Sequence, residues 1–304
     1  MSLNSGNEHQ AVMTRRIRSN PMGRWRPRRT VKLVSHLQEG HFGSTASWRQ
    51  QGPQVSLART LEDRWTTLRR HCADPSSHLR LGRLIHRLTH HDPGVQESAL
   101  AELELATQLI RVGVRVIFLP ESQSHTADLE CHFGGARFFV EVTAMVGSAA
   151  RRRLPLRGIA RDEGEGEEEN RGAILIHRIL ARIHQKAKQL AGYDDPVVLC
   201  ISIPRADLQG AAVRRRAVIR ADLKALAGAV TVLLTKLQHL SAVMISLWDV
   251  EPLPSKAGTR LANVGLVERT RYQRTHPRVR LFIQNPCAAA LMTDQQVDAW
   301  FETI

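Results

Sequence analysis

Two acidic residues, Asp128 and Glu141, lie in the stretch TADLECHFGGARFFVEVT (126–143), which otherwise reads as an apolar β-hairpin. Gly134 and Gly135 form a two-residue turn of the kind that permits positive φ, and such a turn fixes the register of the strands it joins. With Phe133 opposite Ala136, Asp128 falls directly opposite Glu141, the β-carbons about 4.5 to 5.5 Å apart. Two carboxylates about 5 Å apart repel by roughly 3 kcal/mol at an effective dielectric of about 20. Phe138, Phe139, Val140 and Val142 surround the pair, so an apolar pair would be the ordinary choice there, and the cost asks for a positive counter-charge. A divalent ion suits it, because Mg²⁺ is held by one or two carboxylates together with water and phosphate oxygens. An exposed or protonated pair at a strand end, or a slipped register, is the alternative that needs no ion.

The flanking elements decide what else reaches this pair. The preceding segment, SALAELELATQLI, reads as part of a helix over about 95–111 whose buried side carries Leu100, Leu103, Ala106, Leu109 and Ile110. Glu102 and Glu104 lie on its flanks: either is a third carboxylate if the helix packs on the hairpin, and a solvated glutamate otherwise. Gly113 is a good C-cap, and the strand VRVIFLP follows it. After the hairpin, RRRLPLRGIARDEGEGEEENRG reads as an unstructured loop that turns from basic to acidic at Asp162, Glu163, Glu165, Glu167, Glu168 and Glu169. In the long helix AILIHRILARIHQKAKQLAG, Ile176, Ile179, Leu180, Ile183, Ala187 and Leu190 form one apolar stripe. Lys186 lies about 70° from the centre of that stripe and Lys188 about 130°. Lys186 can therefore turn its ammonium toward the hairpin or snorkel at the surface, Lys188 points to solvent, and Gln189 shares the flank of Lys186. The strand VVLCISIP, a helical stretch ending near KLQHL, the strands SAVMISLW and RVRLFIQNP, and the short helix TDQQVDAWF complete the pattern. Strands bracketed by helices predict an α/β fold with a mixed sheet covered on both faces.

The chain of 304 residues carries a net charge of +14, a pI near 10.8 and 42% hydrophobic residues. That balance favours a polyanionic partner, nucleic acid first and an anionic membrane surface second. No run approaches the roughly 18 apolar residues of a membrane span, and the arginine-dotted start lacks a signal-peptide core, so a soluble, cytoplasmic protein is expected. Cys72, Cys131, Cys200 and Cys287 lie far apart without CxxC spacing, which predicts reduced and mostly buried thiols. Residues 1–60 hold ten Lys/Arg against two acidic residues. Within them RRIRSNPMGRWRPRRTVK reads as a flexible basic arm in which Arg24, Arg26, Arg28 and Arg29 track phosphates and Trp25 stacks on a base, or as a merely solvated tail. SLARTLEDRWTTLRRHC and SSHLRLGRLIHRLTHH read as two helices, basic on the outside. His86, His90 and His91 sit at one-turn spacing on the second, but no acidic or cysteine partner is near them in sequence, which leaves them poor metal ligands.

Glu102 in a helix eleven residues before Gly113, then a strand, then TADLE and FFVEVT, resembles the PD-(D/E)XK nuclease superfamily over about residues 95–204. The resemblance implies a restriction-endonuclease-like core, and the charge and periodicity of the sequence divide the chain into a basic arm (1–54), a helical extension (55–92) and that core with its C-terminal strands and helix (93–304). It also implies a metal site for Mg²⁺ or Mn²⁺ made by Asp128, Glu141 and the carbonyl of Val142, with Glu102 on a second ion or its water. Ala127 stands where the family has proline and Thr143 where it has the motif lysine. Threonine cannot supply that cation, so the implied substitute is Lys186, because divergent members carry the lysine on the next helix and QKAKQL is similar to that segment. Gln189 would then face the nucleic acid. The implied activity is metal-dependent phosphodiester hydrolysis, with DNA as the partner and a homodimer or larger complex left open. A catalytically inactive relative that binds nucleic acid or joins a complex, and a basic binding protein unrelated to the family, are the other readings.

Overall fold

The computed structural model describes residues 54–120, 127–145, 166–203, 219–248, 250–253, 262–269 and 276–303. Three helices open it: α1 (Gln54–His71), α2 (Pro75–Leu88) and α3 (Pro93–Arg111). Asp74 and Asp92 cap α2 and α3, each accepting backbone N–H bonds at a helix start that carries Pro in its first turn. α3 stops where the sequence says it should. Gly113 adopts φ +88°, its N–H donates to Ile110, and Val114 N–H donates to Leu109, the paired bonds of a Schellman cap.

Strands β1 (Arg115–Phe118), β2 (Leu129–Phe133) and β3 (Ala136–Ala144) follow as an antiparallel meander. Gly134 and Gly135 take φ +60° and +80°, and Phe133 pairs with Ala136, the register expected from the two-glycine turn. Next come α4 (Gly166–Ala187), β4 (Val197–Ile203), β5 (Ile219–Ala221), α5 (Leu223–Leu234), β6 (Ala242–Leu247), β7 (Val250–Pro252), β8 (Val264–Glu268), β9 (Val279–Gln284) and α6 (Asp294–Thr303). The main sheet has seven strands in the order β1-β2-β3-β4-β6-β9-β8, parallel from β3 through β4 to β6 and antiparallel elsewhere. β5 and β7 form a separate parallel pair. The fold is thus α/β with a mixed sheet flanked by helices.

Strand alternation divides the core in two. On one face Phe138, Val140 and Val142 of β3 pack with Leu68 of α1, Leu84 of α2, Leu103 and Leu109 of α3 and Trp300 of α6. On the other, Phe139 of β3 and Leu199 and Ile201 of β4 pack with Ile179 and Ile183 of α4 and Val230 of α5. The two N-terminal helices therefore share their core with the sheet. Among the described residues no helix is long and apolar enough to cross a membrane.

Three details differ from expectation. The acidic stretch is not loop throughout, because α4 already begins at Gly166 and takes Glu167, Glu168 and Glu169 into its first turn, while residues 162–165 lie outside the described residues. The same helix ends at Ala187, so Gln189 sits in the turn beyond it. Glu102 and Glu104 are buried rather than solvated on the flanks, because α3 is enclosed by α1, α2, the sheet and α6 instead of packing on one side only.

The thiols follow the expected pattern. None forms a disulfide; Cys72, Cys131 and Cys200 are buried, and Cys287 is exposed. Burial pushes the Cys72 thiol up to about 12 and raises Cys131 and Cys200 well above the usual thiol range. In native buffer at neutral pH a thiol reagent should label Cys287 alone, and all four cysteines only after denaturation. Peptide mapping of the labelled chain checks this.

Candidate active site

Asp128 sits just ahead of β2, where the chain enters the hairpin. Its backbone N–H donates to Val140 O, its carbonyl accepts from Leu119 N–H, and the neighbouring Ala127 N–H donates to the Tyr193 hydroxyl. These bonds fix the backbone, and the side chain adds its own. Asp128 Oδ2 accepts the Val142 N–H at 2.8 Å, so the carboxylate crosses the mouth of the hairpin and holds the strand that carries Glu141. The Asp128 carboxylate lies close enough to Glu141 to help raise its carboxyl above the usual range. The facing acids read from the sequence are therefore real neighbours.

The structure supplies cations that the sequence reading did not assign to the pair. Arg80, on α2, is 5% exposed, and its Nη2 lies 2.7 Å from Asp128 Oδ1 and 3.1 Å from Glu102 Oε1. Arg80 Nε donates to the same Glu102 oxygen at 3.2 Å, and Arg87, two turns further along α2, donates to Glu102 Oε2 at 2.6 Å. The outward-facing basic character expected for α2 thus fails at Arg80. The missed signal was the seven-residue spacing of Arg80 and Arg87 beside the buried residues Leu81, Leu84 and Leu88, which puts both guanidinium groups on the flank of the apolar face.

Lys186 lies where its helical angle placed it, half-buried near the end of α4, with Nζ 2.5 Å from Glu141 Oε1. Lys188 is exposed. Thr143, at the motif-lysine position, is 4% exposed on β3 beside Ile201 of β4. Asp128, Glu141 and Lys186 come together as one group, with the Val142 backbone beside Asp128. Glu102 joins them through Arg80 rather than by direct contact. Gln189 is half-buried one turn past Lys186, and Arg24, Trp25, Arg26, Arg28 and Arg29 lie outside the described residues.

Burial and the charge of Asp128 both act against ionisation of the other acids. Glu102, 1% exposed, and Glu141, 6% exposed, are each pushed up to about 7, mainly by desolvation and then by Asp128. Arg80 and Arg87 pull Glu102 back down, and Lys186 does the same for Glu141. Carboxylate and carbonyl oxygens are the donors a hard divalent cation takes. Among the described residues no group of three or more His, Cys, Asp or Glu is arranged around one point to hold a metal. The fit of Mg²⁺ or Mn²⁺ therefore rests on the Asp128 and Glu141 pair with backbone and water oxygens, which is enough for Mg²⁺. Comparison with family models, with curated proteins and with solved structures returns no match.

Two outcomes follow from these contacts. Arg80→Met should destabilise the fold by roughly 3 to 5 kcal/mol in urea unfolding, since it leaves Asp128 without a cation and Glu102 with Arg87 alone. The second concerns pH. The native Glu141 carboxyl, raised to about 7, keeps a proton over a range where the unfolded chain, near 4.5, has released it. Its stabilising contribution is fully present below the unfolded value and is lost as pH rises through about 7. The unfolding free energy of the wild type relative to Glu141→Gln should fall by roughly 2 kcal/mol between about pH 5 and about pH 8.

Proposed function

We propose that the chain is a metal-dependent nuclease of the PD-(D/E)XK type that hydrolyses phosphodiester bonds in DNA. The observation that carries this reading is the convergence of Asp128, Glu141 and Lys186 at the mouth of one hairpin, with the Lys186 ammonium 2.5 Å from Glu141 Oε1. Thr143 leaves the motif without its lysine, and Lys186 brings an ammonium to the same pair of acids from the next helix. In this reading Asp128, Glu141 and the Val142 carbonyl hold Mg²⁺ or Mn²⁺, and the bound ion supplies positive charge at the phosphate and makes water a better nucleophile at neutral pH.

The chain's own groups do the rest. Lys186 orients the attacking water and offsets charge as it builds on the phosphate. Glu102 acts as a positioning residue, holding Arg80 against Asp128. Arg24, Trp25, Arg26, Arg28 and Arg29, with the basic surface as a whole, grip the backbone and carry little sequence information. In this reading Gln189 meets the strand next to Lys186. The working compartment in this reading is the cytoplasm.

A second reading is favoured by Arg80. Its guanidinium fills the gap between Asp128 and Glu102, so these acids already have a cation without an ion. A catalytically inactive relative that keeps the core as a nucleic-acid-binding or complex-forming module would look the same. Cleavage of plasmid, linear and single-stranded DNA with Mg²⁺ or Mn²⁺ separates the two. A nuclease should cut only with metal and lose at least about a hundredfold in rate in Asp128→Ala, Glu141→Ala and Lys186→Ala. DNA binding with no cutting by the wild type under any of these conditions establishes the second reading instead.

A further inference from the structure

The outward face of α2 carries residues that its own packing does not account for. The helix, PSSHLRLGRLIHRL, buries Ser77, Arg80, Leu81, Leu84 and Leu88. At about 100° per residue, the direction opposite that stripe falls among Leu79, Gly82 and His86, which lie within about 60° of one another and are all exposed. Leu79 is 73% exposed, the highest value for a large apolar side chain among the described residues. A single exposed leucine is ordinary, but this one shares its ridge with a glycine in mid-helix. Gly82 does not have a positive φ, and a β-carbon there would meet no atom within 4 Å among the described residues. Internal packing therefore does not require glycine at this place, and glycine inside a helix is less stable than almost any other residue.

Charge identifies what meets the ridge. α2 contains no acidic residue, and Asp74 at its start is occupied as the cap, accepting from Ser76 Oγ and the Ser77 N–H. Arg83 is exposed on one side of the ridge and His78 on the other, and the last turn of α1 adds the exposed Arg69, Arg70 and His71. A second copy of this face would bring like charges together, whereas a polyanion complements it. Arg83 also shares its flank of α2 with Arg80 and Arg87. Arg80 Nη2 is 2.7 Å from Asp128 Oδ1, so that flank leads, one helical turn from Arg83, to the acidic pair.

We propose that the outer face of α2 is a docking surface for the sugar–phosphate backbone of DNA. Arg83 meets a phosphate, the His78 and His86 rings donate to neighbouring oxygens, and Leu79 lies against deoxyribose. Gly82 lets the backbone approach the helix closely, as a residue with a side chain would not. Contacts of this kind set the position of a nucleic acid without reading its sequence. The inference rests on the DNA partner of the reading above and does not need the chain to cut.

The test is fluorescence anisotropy of the full chain with a labelled DNA duplex in EDTA, where metal-dependent cleavage does not run, over a series of salt concentrations. Thermal unfolding and light scattering accompany each variant. Gly82→Gln should raise Tm, because glutamine is the better helix former and the space is open, and should weaken DNA binding about tenfold by holding the backbone off the helix. Arg83→Gln should weaken binding and reduce the slope of log K against log salt by about 1. Leu79→Ser should weaken binding with Tm nearly unchanged. The inference is overturned if folded Gly82→Gln and Arg83→Gln bind with the affinity and salt slope of the wild type, a result that leaves the nuclease reading standing. Should Gly82→Gln not fold, Arg83→Gln decides alone. It is overturned too if the changes alter the oligomeric state and not DNA affinity, which assigns the ridge to a protein partner, or if the wild type binds no duplex. Binding that depends on α2 with no cutting under any metal condition keeps this inference and sinks only the nuclease reading.

Discussion

The guanidinium of Arg80 is the interaction on which the centre of this molecule depends. It reaches from α2 to Glu102 on α3 and to Asp128 at the hairpin mouth, and Asp128 in turn holds the Val142 amide of β3. Three segments that share no backbone hydrogen bonds with one another at this point are thus tied through one buried cation. Removing a partner from such a cluster exposes the remaining charges to a medium that solvates them poorly, which is why its geometry is constrained more tightly than its net energy suggests.

The same principle distinguishes the two polar centres flanking α3. Around Asp128, three carboxylates meet Arg80, Arg87 and Lys186, so the charges balance in number. Around Arg280, among the described residues, a single carboxylate, Glu104, lies among guanidinium groups, and one buried N–H lacks an acceptor. Glu102 and Glu104 are two residues apart and nearly opposite on the helix, so α3 serves one centre with each side. A helix with a single apolar stripe could not do this; it has to be enclosed.

What the sequence made legible was local. The two-glycine turn set the register and with it the approach of Asp128 and Glu141, Gly113 marked the end of α3, and helical angle alone separated Lys186 from Lys188. The long apolar strands declared themselves by composition, whereas β5, β7 and β8 span only three to five residues and leave too little pattern to read. Arg80 escaped because an arginine beside an apolar stripe reads as outward-facing, and its acidic partners lie 22 and 48 residues away. The burial of Glu102 and Glu104 escaped for a related reason. It arises from how many elements surround α3, which no single element's periodicity records.

The two-residue turn of the hairpin has a consequence for the order of folding. β2 and β3 make the most local strand pairing in the sheet, whereas the parallel pairings of β3 with β4 and β4 with β6 must close far longer loops. A hairpin can form on the microsecond scale, about 1 to 10 μs. If the hairpin closes before α2 docks, Asp128 and Glu141 meet while water is still present to solvate them. Arg80 is already synthesised but not yet in place, so the docking of α2 is the step at which solvent is exchanged for guanidinium, and a chain stalled before that step would carry its acidic pair wet and unpaired.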